Sequence, residues 1–148
     1  MNRKPVVLVV CTGNAMRSQL GEAMLRLELG DYIEVHSAGT HPGYVHPLTI
    51  RSLQDLGLDT SRLRSKGVGE FLHRELDLVI TVCDSALETC PYIPGARKTV
   101  HRGYPDPLSR ASADDAQQRM NALRDRIRVE LRALVIDELR LDVPTVPR

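Results

Sequence analysis

Apolar and polar residues alternate along this chain in two distinct rhythms. Residues 5–10 form an almost unbroken β-branched run, as expected of a strand covered on both faces. From Ser18 onward, Leu20, Ala23, Met24 and Leu27 follow helical spacing, and Gly30 can end that helix. Residues 32–37 return to alternation and predict a strand. Residues 47–56 predict a helix, with Pro47 tolerated in its first turn and Gly57 as its stop. Phe71, Leu72 and Leu76 suggest a short helix, residues 78–82 a second wholly apolar strand, and residues 98–101 a short fourth one. The last helix is the most plainly written. Ser112 and Asp115 make a capping-box-like start, and Ala116, Met120, Leu123, Ile127, Leu131 and Leu134 make the stripe. The tail after Leu141 is broken by prolines and should fray.

Strands alternating with helices predict an α/β fold: a four-stranded parallel sheet flanked by helices in a three-layer sandwich, forming a single domain over residues 1–148. Ligands of such folds bind at the carboxyl ends of the strands. The first strand is expected to end at Val10, so Cys11 stands at that end.

Composition narrows the function. Apolar residues are 42% of the chain, enough for a core at this length. Charged residues are 26% and nearly balanced, with a net charge of +1, which gives no electrostatic case for nucleic acid. Aromatics are only 3%, which argues against base-stacking platforms. No segment approaches the roughly 18 apolar residues of a membrane span. The basic residues before the first apolar run resemble a secretory leader only briefly, because a Gly-Asn turn and Arg17 follow and no small-residue cleavage site does. The protein is therefore read as cytoplasmic. Its three cysteines, an odd number, do not suggest a structural disulfide framework there. No His lies at zinc-ligand spacing from a cysteine pair, and His41, His46 and His101 are not spaced as ligands, so neither a metal nor another cofactor is expected.

The chemistry concentrates in C-T-G-N-A-M-R-S, residues 11–18, between a strand and a helix. Gly13 and Asn14 can reach left-handed backbone angles, which turns successive amides inward as a nest for a tetrahedral anion. Thr12, Gly13, Asn14, Ala15 and Met16 would line that nest, and the helix beginning near Ser18 adds its positive end. Arg17 can clamp two oxyanion oxygens in a fork. Cys11 sits at the floor of this positive field, which favours the nucleophilic thiolate, and Ser18 is placed to donate a hydrogen bond to it. A buried packing cysteine would not need this combination. The nucleotide-binding P-loop would need Gly-Lys-Ser or Gly-Lys-Thr, and neither occurs.

With VCTGNAMRSQLGEA at 10–23, SAGTHP at 37–42, HP at 46–47, LGLD at 56–59, LVITVCD at 78–84, ETCP at 88–91 and YPDP at 104–107, the chain resembles the low molecular weight tyrosine phosphatase fold. Within it, the chain resembles the thioredoxin-coupled arsenate reductases, from about residue 6 to the last helix. The resemblance implies that Asp106, held between Pro105 and Pro107, is the general acid over the nucleophile. It also implies a relay. Cys11 attacks arsenate, Cys83 attacks Cys11 to release arsenite, and Cys90 attacks Cys83 to give a disulfide that thioredoxin or a similar dithiol reduces. Phosphate and sulfate would compete for the site, and the protein would act as a monomer. Cys83 and Cys90 are seven residues apart, about 10.5 Å along a helix, whereas a disulfide needs Cα atoms within about 7 Å. Their pairing requires the segment between them to unwind.

Two departures matter. Ala15 and Met16 replace the Ser and small residues often found in this loop. Family members that bind potassium near the loop use residues matching Asn14, Glu22 and Ser37, with an Asp following the match to Ser65, where this chain has Lys66. A lysine ammonium there can take the cation's place beside Glu22. The main alternative is a phosphatase that hydrolyses phosphomonoesters through a phospho-Cys11 intermediate, an activity also expected weakly of the reductase. Against it, YPDPLSR lacks the tyrosines that usually follow DP in that branch, and residues 41–46 offer only Tyr44 as an aromatic wall. An oxyanion sensor without turnover is a second alternative. Arg119, Arg124, Arg126, Arg128 and Arg132 read as a solvated helix face.

Overall fold

The computed structural model describes residues 3–84, 92–109 and 114–144. Four strands, β1 (Val6–Cys11), β2 (Glu34–Gly39), β3 (Leu78–Thr81) and β4 (Thr99–His101), form one sheet in the order β2-β1-β3-β4, with every pairing parallel. β1 lies inside the sheet and all of its residues are buried, as its apolar run demands. The edge strand β4 is mostly exposed, which explains its weak pattern.

The alternation of side chains along β1 divides the core. Val7, Val9 and Cys11 face helices α1 (Arg17–Leu29), α2 (Pro47–Gln54) and α3 (Ala116–Leu139). Val6, Leu8 and Val10 face a thinner layer built on a 3-10 turn, Val68–Phe71, with Leu76 and Ile93. The three layers are present, but among the described residues all the α-helices share one face.

Several boundaries differ from expectation. β1 continues through Cys11, and β2 begins at Glu34 because its ladder to β1 starts opposite Val6. α2 ends at Gln54, and Gly57 takes φ +78° in the turn beyond it. α1 stops at Gly30 with right-handed angles rather than a left-handed cap. On α3 the buried stripe is Met120, Leu123, Ile127, Leu131 and Val135, with Leu134 beside it. Ser112 lies outside the described residues, and with it the expected capping-box start; α3 is entered from Asp115.

The arginines of α3 are a correction. Arg124 is buried and donates to the Ser52 carbonyl on α2 at 2.7 Å. Arg128 and Arg132 both hold the buried Glu28 carboxylate of α1, at 2.7 and 3.1 Å. They fasten helices together and do not form a solvated face. Among the described residues no helix is long and apolar enough to cross a membrane.

Candidate active site

β1 delivers Cys11 to its carboxyl end, buried, and α1 begins at Arg17, so the intervening loop joins a strand end to a helix N-terminus. The left-handed turn expected of Gly13 and Asn14 falls to Asn14 alone, at φ 49°. Asn can hold this angle because its short amide bonds locally.

That amide fixes the polarity of the site. The backbone N–H of Lys66 can only donate, and it donates to Asn14 Oδ1 at 2.8 Å. Asn14 Nδ2 therefore faces the other way and donates to Ser18 Oγ at 2.7 Å and Ser37 Oγ at 2.9 Å. Ser18 Oγ also lies 2.8 Å from Cys11 Sγ, and its hydroxyl hydrogen can turn to that sulfur. The expected contact between the Ser18 hydroxyl and the Cys11 sulfur is thus present, beside an Asn14 amide whose orientation a backbone amide on another segment sets.

The loop carbonyls are all tied outward. Cys11 O accepts from Thr40 N, Thr12 O from His41 N, and Gly13 O from Ser65 Oγ. Asn14 O accepts from Gln19 Nε2, and Ala15 O from His46 N and Thr49 Oγ1. Among the described residues, no carbonyl takes a hydrogen bond from the amides of Gly13, Ala15 or Met16. A loop whose carbonyls point out leaves its amides for a bound anion. Gly39, paired with Cys11, makes this possible: a Cβ there would lie 2.5 Å from Thr12 O and 2.8 Å from Asn14 N. Sequence reasoning noted SAGTHP but assigned no role to Gly39, nor to Gln19, Ser65, His46 or Thr49 as braces.

Arg17 is buried, and its Nη1 donates to the Tyr104 carbonyl at 3.0 Å. This contact brings the loop carrying Asp106 alongside Arg17. Asp106 is half-buried and accepts the Leu108 N–H at 2.8 Å, so the carboxylate closes its own turn. It lines a cleft of about 510 Å³ with Asp84.

Cys83 follows β3, fully buried in the same cluster as Cys11. Val10 pairs with Thr81, and Val82 N donates to Val10 O at 2.9 Å, so Cys83 stands one residue beyond the position opposite Cys11. A strand spacing of about 4.8 Å and a rise of about 3.3 Å per residue give a Cα separation of about 6 Å, within disulfide reach. Cys83 is disulfide-bonded and Cys11 is a free thiol. Cys90 lies outside the described residues.

Behind the loop, Lys66 Nζ lies 3.3 Å from Glu22 Oε1, both side chains being about nine-tenths buried. Glu22 also meets Arg26 at 2.8 Å and accepts from Ser37 Oγ. Burial alone would raise its carboxyl, but Lys66, Ser37 and Arg26 outweigh that and hold it below the usual 4.5. Lys66 thus pairs with Glu22 as the sequence suggested.

The model of the low molecular weight phosphotyrosine protein phosphatase family matches residues 6–144. The chain belongs to this family. An arsenate reductase of Halalkalibacterium halodurans is 35% identical over 131 residues, covering 88% of this chain and 91% of the relative. Among solved structures of the family's fold, a thioredoxin-dependent arsenate reductase of Corynebacterium glutamicum is 28% identical at TM-score 0.66, covering 92% of this chain and 64% of that one. A low molecular weight phosphotyrosine phosphatase of Vibrio cholerae is 27% identical at TM-score 0.65, covering 88% and 95%. Both activities therefore occur on this fold, with arsenate reductases at 35% and 28% identity and a phosphatase at 27%.

Proposed function

We propose that the chain reduces arsenate to arsenite, with Cys11, Arg17, Asp106, Cys83 and Cys90 as its reacting and binding side chains. The observation that carries the reductase reading is Cys83, a second sulfur buried in the same apolar cluster as Cys11, which phosphate ester hydrolysis does not need. The family's named arsenate reductases support the substrate.

In the first step the Cys11 thiolate attacks As(V), and Asp106 protonates the departing oxygen, which leaves as water. The amides of residues 12–16 and the Arg17 fork neutralise the remaining oxygens. Cys83 thiolate then attacks Cys11 Sγ. The S–As bond breaks with its electron pair on arsenic, so As(V) becomes As(III) and two cysteines are oxidised to a disulfide. Cys90 attacks Cys83, expelling Cys11 as a thiolate, and an external dithiol reduces the Cys83–Cys90 disulfide. The thioredoxin dependence of the C. glutamicum relative supports thioredoxin in that role.

The test compares Cys90→Ser with the native protein for arsenate-dependent oxidation of thioredoxin and for aryl phosphate hydrolysis. Turnover with arsenate should stop after one reduction event, while ester hydrolysis persists. Undiminished arsenate turnover in the variant rules out the relay.

A further inference from the structure

Tyr104 precedes the Pro-Asp-Pro loop and is the largest fully buried side chain among the described residues. Its backbone is held at both ends. The N–H donates to Val82 O at 3.1 Å, just before Cys83, and the carbonyl accepts from Arg17 at 3.0 Å. Its phenol reaches away from the site to α3, where it donates to Glu130 Oε1 at 2.8 Å. Arg102 holds the same carboxylate at 2.6 Å and Arg126 at 3.1 Å, and Arg126 also lies over the Tyr104 ring, 5.0 Å from its centre. A buried packing residue would need none of this. The phenol's contacts fix a carbonyl that touches the oxyanion-binding arginine.

We propose that Tyr104 is a positioning residue: anchored through its hydroxyl to Glu130 on α3, it sets the orientation of Arg17 and the placement of the loop bearing Asp106. The proposal rests on the reading of Arg17 as the oxyanion clamp. The anchor keeps its charge and proton at any working pH. Burial would raise the Glu130 carboxyl, but hydrogen bonds from Arg102, Tyr104 and Arg126 bring it down to about 2. Burial, together with the bond to Glu130, pushes the Tyr104 phenol up to about 12, so it remains a donor.

The test uses Tyr104→Phe, Glu130→Gln and the double variant, each full length. Two functional readouts are arsenate kinetics and the affinity for inorganic phosphate by chemical-shift titration. A third is the side-chain ¹⁵N relaxation of Arg17. Tyr104→Phe keeps the ring and removes only the hydroxyl. It should weaken phosphate binding about tenfold, as expected for one charge-assisted hydrogen bond lost at an anchor. It should also raise KM for arsenate, lower kcat and increase Arg17 mobility. The double variant should match the worse single one, because both break the same link. Native phosphate affinity with native Arg17 relaxation in Tyr104→Phe overturns the proposal, as does simple additivity. A lower melting temperature with neither change marks a packing role and overturns it too. Should the native protein bind phosphate yet fail to reduce arsenate, the reductase reading falls while the phosphate and relaxation readouts still judge Tyr104.

Discussion

Replacing Lys66 with Met removes the ammonium that faces Glu22 and leaves a side chain of similar length. At 3.3 Å and an effective dielectric of about 20, the gross attraction between the two charges is about 5 kcal/mol. Much of that is offset by the desolvation of both groups, yet deleting one member of a buried pair still costs about 3–5 kcal/mol because the other charge stays behind. Arg26 remains 2.8 Å from Glu22, although it is half exposed, so the lower part of the range applies. A loss of about 3 kcal/mol, or roughly 6–12 °C in melting temperature, is expected. The pH dependence has a definite sign. Glu22 is held below its usual 4.5 in the folded protein, so its contribution is present above that value and lost as pH falls through the folded one. Without Lys66, the first of the influences that lower it, the fall begins at higher pH. Urea unfolding of Lys66→Met, Glu22→Gln and the double variant between pH 3 and 8 measures this. A coupling near 2 kcal/mol at neutral pH is expected, and a coupling below about 0.5 kcal/mol, as for an exposed pair, would refute the argument. If Lys66 takes a cation's place, native arsenate turnover is equal in potassium and sodium at matched ionic strength. A rise specific to potassium defeats that reading.

Two other perturbations report on the loop. Gly39→Ala puts a Cβ against the backbone of Thr12 and Asn14, which no rotamer can relieve, so the loop must shift. A displacement of about 1 Å should lower kcat/KM about 100-fold and weaken phosphate binding, and native kinetics in this variant would contradict the assigned packing. Ser18→Ala removes the hydroxyl that lies 2.8 Å from Cys11 Sγ. A hydrogen bond to a charged group is worth about 1.5–3 kcal/mol, so arsenate turnover should fall about 10- to 100-fold. Alkylation of Cys11 by iodoacetamide near neutral pH should slow with it, and an unchanged alkylation rate would show the bond to be incidental.

The Cys11 loop was readable from sequence because its chemistry is local. A nucleophile, a residue able to turn left-handed, an arginine and a hydroxyl must fall within one turn between a strand and a helix. β1 and α3 were readable because burial on a regular element leaves a period. The residues around the loop left no such trace. Ser65, His46 and Thr49 brace it from elements that come near only in the fold, and each has an ordinary local reading as a loop or helix-start residue. The arginines of α3 were misread for a related reason. Charge on a helix usually means solvent, but Arg128 finds Glu28 a hundred positions away, and Arg124 finds the end of α2.

These distant braces also explain why Ala15 and Met16 are tolerated inside the loop. An anion nest needs amides with a common direction, and that direction is set by where the carbonyls are held. Here each carbonyl from Cys11 to Ala15 is held by a donor beyond the nest-forming residues themselves, and Asn14 alone supplies the left-handed turn. The side chains of residues 15 and 16 are then free to vary, while Gly39 is not, since it is the surface on which the loop rests. The specificity of this site for a tetrahedral oxyanion is therefore written mostly outside its motif, in β2, α2 and the segment around Lys66. Cys11 supplies the reacting atom, and the fold around it decides which way the surrounding dipoles point.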